Sequence, residues 1–151
     1  MVGILGVSPK GLLTPLRVGS FARFQEHAGD LEAAAPGAYP AGHAACHALM
    51  NGVARVGLVG VADAADAGSW VESFDRLLDL AEATVVIAPG MVDPEQAARL
   101  VARFGERFPD AEAAAPTLWL DAPDRVSAEG VLAHANAIGA ESPRALQGRQ
   151  V

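Results

Sequence analysis

The chain has 151 residues, of which 51% are hydrophobic, and its 18 acidic and 11 basic residues give a formal net charge of −7. This length fits one domain with a substantial core, and the acidic balance argues against a nucleic-acid backbone or an anionic membrane as principal partner. The lone Cys46 excludes an intramolecular disulfide. Because we find neither a signal-peptide pattern nor an apolar run near the ~20 residues of a membrane-spanning helix, we expect a soluble, intracellularly made protein.

The first part of the chain predicts two short strands and a helix. Val2–Ser8 is an apolar run with glycines, typical of a buried strand. Leu12–Val18 is a second extended piece, which Pro15 restricts to a sheet edge or to an irregular course. Ser20 is a predicted N-cap for a helix over Phe21–Ala28, which a glycine then ends.

The middle of the chain predicts a helix, a strand and a second helix. Ala41–Asn51 has helical character and stops at an Asn-Gly pair. The near-continuous apolar run Arg55–Ala62 suits a strand covered on both faces. Ser69 is the expected cap of the next helix, which the apolar spacing extends to Glu82.

The stretch Thr84–Leu100 predicts a strand, a tight turn and a capped helix. Its strand ends at Pro89-Gly90, and Asp93 then stands at the N-cap position. Pro94 suits the first helical position, and Gln96 completes a capping-box spacing. A strand that feeds a helix in this way is half of a βαβ unit.

The last predicted elements are a strand over Thr117–Leu120 and a helix from the N-cap Ser127 to about Ile138. Strands alternate with helices along the chain, which indicates an α/β fold with three layers, a mostly parallel sheet flanked by helices. We expect one domain over residues 1–139 and a polar tail over residues 140–151.

Three soft ligands lie at helical spacing within the predicted helix Ala41–Asn51. His43, Cys46 and His47 share one face and would hold zinc if a fourth ligand came from elsewhere. No second ligand pair stands at a recognisable spacing, so a surface or interface face with a buried thiol is the preferred interpretation. We assign no metal and no cofactor.

Glycines recur in the apolar runs but match no phosphate-binding motif. Gly3, Gly6, Gly52, Gly57 and Gly60 fit neither GxGxxG between a strand and a helix nor a Walker loop. We interpret them as strand residues that allow a helix to approach the sheet closely.

Three carboxylates follow predicted strands. Asp63, Asp93 and Asp121 would bind Mg²⁺ or transfer protons if they converged at one sheet edge. Helix capping and turn initiation explain such residues more often, and no Gly-x-Ser-x-Gly elbow frames a serine nucleophile. We therefore assign no catalytic residue.

The order of the segments resembles the tail sheath protein family of contractile phage tails, in its so-called subtilisin-like domain. The resemblance rests on GILGVSPKG…LTPLRVGSFARFQEHAGD, then YPAGHAACHALMNGVARVGLVGVAD, then SFDRLLDLAEATVVIAPGMVDPEQAARLVARF. The strand ending Leu120-Asp121-Ala122-Pro123 meets the family's short "L-D-x-P" pattern. These segments follow one another from about Gly3 to Ile138.

The resemblance implies a structural protein without catalysis. Family members are expected to carry an N-terminal arm, a long C-terminal half and an Arg where Val61-Ala62-Asp63 stands, and this sequence contains none of them. The resemblance implies a sheath-like domain, and these departures argue against assembly by exchange of arms. We expect either a reduced sheath-related tail protein or a truncated gene product. It would sit in a virion tail or injection particle assembled in the bacterial cytoplasm.

The partners implied are copies of the chain itself, as a homo-oligomer or part of a larger assembly, and other tail proteins of the sheath, tube or baseplate. Candidate contact surfaces are the helix with His43, Cys46 and His47, the edge strand with Pro15, and the polar tail with Arg144 and Arg149. The alternative is a small flavodoxin-like enzyme or ligand-binding module. It would use the loops at Asp63, Gly90–Asp93 and Asp121–Asp124.

Overall fold

A computed structural model of the chain describes residues 1–8, 10–29, 31, 38–80, 82–109, 115–121 and 127–138. The strands in these ranges are β1 (Val2–Gly6), β2 (Leu16–Val18), β3 (Val56–Gly60), β4 (Val85–Ala88) and β5 (Thr117–Leu120). The helices are α1 (Phe21–Ala28), α2 (Pro40–Met50), α3 (Ala67–Leu78), α4 (Pro94–Arg107) and α5 (Ala128–Ala137). The predicted polar tail, including Arg144 and Arg149, lies outside the described residues.

The strands form one sheet in the order β2-β3-β1-β4-β5. β3, β1, β4 and β5 are parallel, and β2 pairs antiparallel with β3 at the sheet edge. Helices pack on both faces, so the predicted three-layer α/β fold with a mostly parallel sheet is confirmed. β2 begins directly after Pro15, which has no N–H for a ladder, and the predicted edge position is also confirmed.

The central strands send alternate side chains into two hydrophobic clusters. On one face Ile4 and Leu58 are fully buried beneath α1 and α2. On the other face Leu5 and Val59 are fully buried against α3 and α4. This two-sided burial is the physical reason why β1 and β3 are apolar without interruption.

The helix starts follow from local capping, with one correction. Ser20 and Ser127 cap α1 and α5 as predicted, each by accepting a backbone N–H of the first turn. α3, however, is capped by Asp66 rather than by Ser69. The Asp66 carboxylate accepts the N–H groups of Gly68 and Ser69 at 3.1 and 2.8 Å. The helix therefore begins at Ala67, three residues earlier than a cap at Ser69 would place its start.

Two further expectations about helix ends were wrong. α3 ends at Leu78 instead of Glu82, whose carboxylate pairs with Arg17 and Arg55 at 3.3 and 2.9 Å beyond the helix. The capping box of α4 is half formed. The N-cap Asp93 accepts two backbone N–H groups. The Gln96 side-chain amide, however, donates to the carbonyl of Ala64 at 2.9 Å instead of bonding to the backbone of Asp93.

The strand glycines have different roles. A Cβ on Gly3 or Gly57 would lie 2.7 or 3.3 Å from the Leu77 side chain, which confirms close approach of a helix to the sheet. Gly60 instead faces the backbone of Leu12. Gly52 lies in the turn after α2 with φ 85°, a left-handed conformation that favours glycine, so its assignment to a strand was wrong.

Candidate functional site

The strand order places the candidate site between the carboxyl ends of β1 and β4. From β1 the parallel sheet continues to β3 on one side and to β4 and β5 on the other. In open α/β sheets the crevice at such a reversal is the usual ligand site. Gly6 ends β1 here, and Pro89-Gly90 follows β4.

The first turn of α2 lies over this crevice. A Cβ on Gly6 would come within 2.6 Å of the Ala41 Cβ, and a Cβ on Gly90 would lie 3.2 Å from Cγ of Pro40. Gly90 has φ 83°, so the chain turns sharply beneath the proline ring. Pro40 and Ala41 therefore pack against the end of β1 and the turn after β4, at the crevice where open α/β sheets usually bind ligands.

Two buried hydroxyls hold the start of α2 to the end of α1. Tyr39, the residue before the helix, donates its phenol to the carbonyl of Ala28 at 2.9 Å, and the Ser8 hydroxyl donates to the same oxygen at 3.1 Å. Burial raises the pKa of the Tyr39 phenol above its usual 10.0, and a hydrogen bond with Ser8 opposes that rise. The phenol thus stays neutral across the physiological range.

The three strand-end carboxylates each accept a backbone N–H group, two of them near their own strand and Asp121 from the turn after the neighbouring strand. Asp63 accepts the Ala65 N–H at 2.9 Å in a turn, and Asp93 caps α4. Asp121 accepts the Gly90 N–H at 2.7 Å and ties the end of β5 to the turn after β4. The capping and turn interpretation is confirmed for the first two, and the Asp121–Gly90 bond is a contact that the sequence did not indicate.

A shallow groove of about 230 Å³ opens between the N-termini of α3 and α4. Its polar lining is Asp66, Asp93, Glu95, Gln96 and Arg99, beside Ala65 and Ala67. The N–H groups of Gly68 and Ser69 lower the pKa of Asp66, so this cap is ionised at neutral pH. The first-turn N–H groups of α3 and α4 donate to the N-caps Asp66 and Asp93. These two carboxylates make the groove acidic.

The soft ligands of α2 lie on one surface of the helix. His43 and His47 are exposed, and the half-buried Cys46 thiol lies 3.5 Å from the Met50 sulfur one turn along. Among the described residues no group of three or more His, Cys, Asp or Glu side chains is arranged to hold a metal ion. The helical spacing puts His43, Cys46 and His47 on one surface of α2, but it does not direct their side chains toward a common point.

Sequence reasoning missed the two buried hydroxyls that hold the start of α2 in place. Tyr39 and Ser8 both lie in segments of the resemblance, but neither was given a role there. The local signal at Tyr39 is the proline that follows it, which suits a first helical position. The bidentate pair between Arg103 of α4 and Asp75 of α3, at 2.9–3.2 Å, was also unforeseen. This pair raises the pKa of Arg103, which keeps the guanidinium charged.

Comparison with known proteins adds no relative, since no family model, curated protein or solved structure matches the chain. Among the helices that the structure describes, none has the length and apolar character needed to cross a membrane.

Proposed function

We propose that this chain is a structural component of a contractile phage tail or a phage-tail-like injection particle. In this proposal it is a reduced sheath-like protein that acts through contacts with copies of itself or with other tail proteins. The observation that carries the proposal is the closure of the β1/β4 crevice by Pro40 and Ala41. A sheet whose ligand position is filled by its own helix suits a scaffold role better than small-molecule chemistry.

The placement of the resembling segments supports the same role. The first segment contains most of β1, with β2 and α1, the second contains α2 and β3, and the third contains half of α3, all of β4 and most of α4. Leu120-Asp121 of the last pattern stands at the end of β5. All four pieces thus belong to one continuous sheet and its covering helices.

The proposal is tested by asking where the chain goes when particles form. An affinity tag on the natural copy, followed by sedimentation of particles and mass spectrometry, is expected to recover the chain at a fixed ratio to tube and baseplate proteins. Immunogold microscopy would then place it along or at one end of the tail. Recovery only in the supernatant, from cells rich in assembled particles, would overturn the structural role.

A flavodoxin-like ligand-binding module is the competing proposal, and the strand order favours it. The parallel strands lie in the order β3-β1-β4-β5, which is the strand order of a flavodoxin-like sheet. The acidic groove beside Asp66 lies on the carboxyl side of this sheet. A thermal denaturation screen with nucleotides, flavin and divalent cations tests it. A ligand present at 100 times its Kd stabilises a protein by about 2.7 kcal/mol, and a saturable shift of that order would favour this alternative.

A further inference from the structure

The helix α2 ends at an asparagine that a glycine follows. Asn51 is the C-cap of the helix, and Gly52 has φ 85°, a left-handed conformation that favours glycine. The N–H of Gly52 donates to the carbonyl of Leu49 at 3.2 Å. The N–H of Val53 donates to the carbonyl of Ala48 at 3.0 Å. These two bonds form a Schellman motif, which satisfies carbonyl groups of the last helical turn.

The Asn51 side chain adds a third bond to this turn. Its amide donates from Nδ2 to the carbonyl of His47 at 2.8 Å, and the Asn51 backbone N–H donates to the same oxygen at 3.0 Å. Asn51 and Gly52 are both exposed, and a Cβ on Gly52 would meet no described atom within 4 Å. Hydrogen bonds rather than core packing therefore hold these two residues in place.

An Asn-Gly pair contains both groups of an intramolecular reaction. The Gly52 nitrogen attacks Cγ of Asn51, and glycine places no side chain beside the attacking atom. The new N–Cγ bond closes a five-membered imide, the nitrogen loses its proton, and the Cγ–Nδ2 bond breaks to release ammonia. Water then opens the imide at either of its carbonyl carbons. The product is aspartate or isoaspartate, with one more negative charge than the original chain.

The native turn keeps the reacting atoms apart. Ring closure needs the Gly52 nitrogen on the same side of the Asn51 Cα–C bond as the Asn51 Cβ. With ψ 17° at Asn51, that nitrogen points away from Cβ. The attacking N–H and the leaving amide also donate to the carbonyls of Leu49 and His47. The reaction therefore requires the last turn of α2 to open, as helix ends do more readily than a core.

We propose that Asn51-Gly52 is a deamidation site, that opening of the last turn of α2 sets its rate, and that the reaction loosens this turn irreversibly. A carboxylate at position 51 has no N–H to donate to the His47 carbonyl, and its charge lies at the negative end of the helix. Isoaspartate instead inserts a methylene into the backbone, which displaces the N–H groups of Gly52 and Val53 from their acceptors. The turn begins the connection from α2 to β3, so this connection loosens with it. The reaction does not depend on the function proposed above.

Peptide mapping by mass spectrometry during incubation of the folded protein at neutral pH tests the site. The chain has one other asparagine, Asn136, which an alanine follows, so it is an internal control. Asn51 is expected to deamidate faster than Asn136 by roughly tenfold or more, because the alanine methyl hinders the attacking nitrogen. Asn51→Gln, whose longer side chain does not form the five-membered imide, is expected to keep its charge. A rate at Asn51 no higher than that at Asn136 would overturn the site.

Two matched alanine-to-glycine variants test whether the last turn sets the rate. Ala48 lies in the last turn of α2 and Ala98 lies inside α4, and both are half-buried. Each glycine weakens its own helix to a similar extent. Ala48→Gly is expected to raise the Asn51 rate roughly two- to fivefold, and Ala98→Gly is expected to leave it unchanged. Circular dichroism checks that both variants are folded. Equal acceleration by the two variants would show that global unfolding sets the rate, which would overturn this part of the inference.

The variant Asn51→Asp represents one product and tests the loosening directly. Hydrogen exchange at the amides of Gly52 and Val53 is expected to rise roughly three- to tenfold over wild type, because the bond to His47 is lost. Amides in the centres of β1 and β3 should keep their protection. Exchange at Gly52 and Val53 equal to that of wild type would overturn the loosening.

Discussion

Tyr39 and Ser8 donate to one and the same carbonyl oxygen, that of Ala28, from donors at 2.9 and 3.1 Å. Both side chains are buried, and they join the end of β1, the end of α1 and the start of α2 at a single point. Because α2 closes the crevice between β1 and β4, this shared acceptor determines how firmly the crevice stays closed.

The shared acceptor predicts non-additive losses of stability. Tyr39→Phe and Ser8→Ala each remove one donor while the other still satisfies the Ala28 oxygen, so each is expected to cost about 0.5–1.5 kcal/mol. The double variant leaves a buried carbonyl without either partner and is expected to cost about 1 kcal/mol more than the sum. Urea denaturation of the four proteins measures this coupling. Strict additivity would mean that another group satisfies the oxygen.

The raised pKa of Tyr39 predicts a loss of stability in alkaline solution. The unfolded phenol ionises near its usual 10.0, whereas burial holds the folded phenol neutral to higher pH. The stabilisation is fully present below about pH 10 and is lost as pH rises through the folded pKa. Tyr39 is the chain's only tyrosine, so phenolate absorbance titrates it directly. We expect a higher midpoint in native than in denatured protein, and equal midpoints would contradict the burial.

The close approach of Gly6 to Ala41 predicts that even a methyl side chain at position 6 destabilises the fold. Gly6→Ala places a methyl 2.6 Å from the Ala41 Cβ and is expected to destabilise the fold by about 1–3 kcal/mol, by lifting α2. Adding Ala41→Gly restores the space, so the double variant should lose less than the sum of the single variants. Gly105→Ala in α4 is the matched control. Its new methyl meets no atom within 4 Å, and it should stabilise by about 0.5–1 kcal/mol.

The N-cap of α4 predicts that two substitutions of Asp93 differ in how much stability they cost. Asp93 accepts the N–H groups of Glu95 and Gln96 at 2.9 and 3.0 Å. Asp93→Ala removes both bonds and is expected to cost about 1 kcal/mol in urea denaturation, whereas Asp93→Asn keeps an acceptor and stays close to wild type. Equal losses in the two variants would show that charge at the helix start, rather than the hydrogen bonds, supplies the stabilisation.

The bond from Gly90 to Asp121 predicts a local rather than a global effect. Asp121→Ala removes the only described acceptor of the Gly90 N–H, which lies 2.7 Å away across 31 residues of sequence. We expect faster hydrogen exchange at that amide and a cost of about 1 kcal/mol. Protection of amides in the centres of β1 and β3 should stay unchanged. A uniform rise in exchange over the whole sheet would contradict a local role.

The sequence by itself determined the elements whose causes are local. Ser20, Asp93 and Ser127 mark helix starts because a cap bonds only to N–H groups two or three residues ahead. The strands β1 and β3 were visible because burial on two faces makes them apolar without interruption. The one misplaced cap is also local. Asp66 stands three residues before the predicted cap Ser69, and its carboxylate accepts the N–H groups of Gly68 and of Ser69 itself.

Only the tertiary structure decided what the carboxyl edge of the sheet can do. The order of the strands brings Gly6, Gly90 and Pro40 together from distant parts of the chain, and this packing closes the crevice. The exposure of Trp119 likewise depends on which helix covers β5, since four apolar or neutral residues in a row do not reveal an uncovered face. Caps and periodicity act over a few residues, whereas closure and coverage arise from contacts between segments that are remote in sequence.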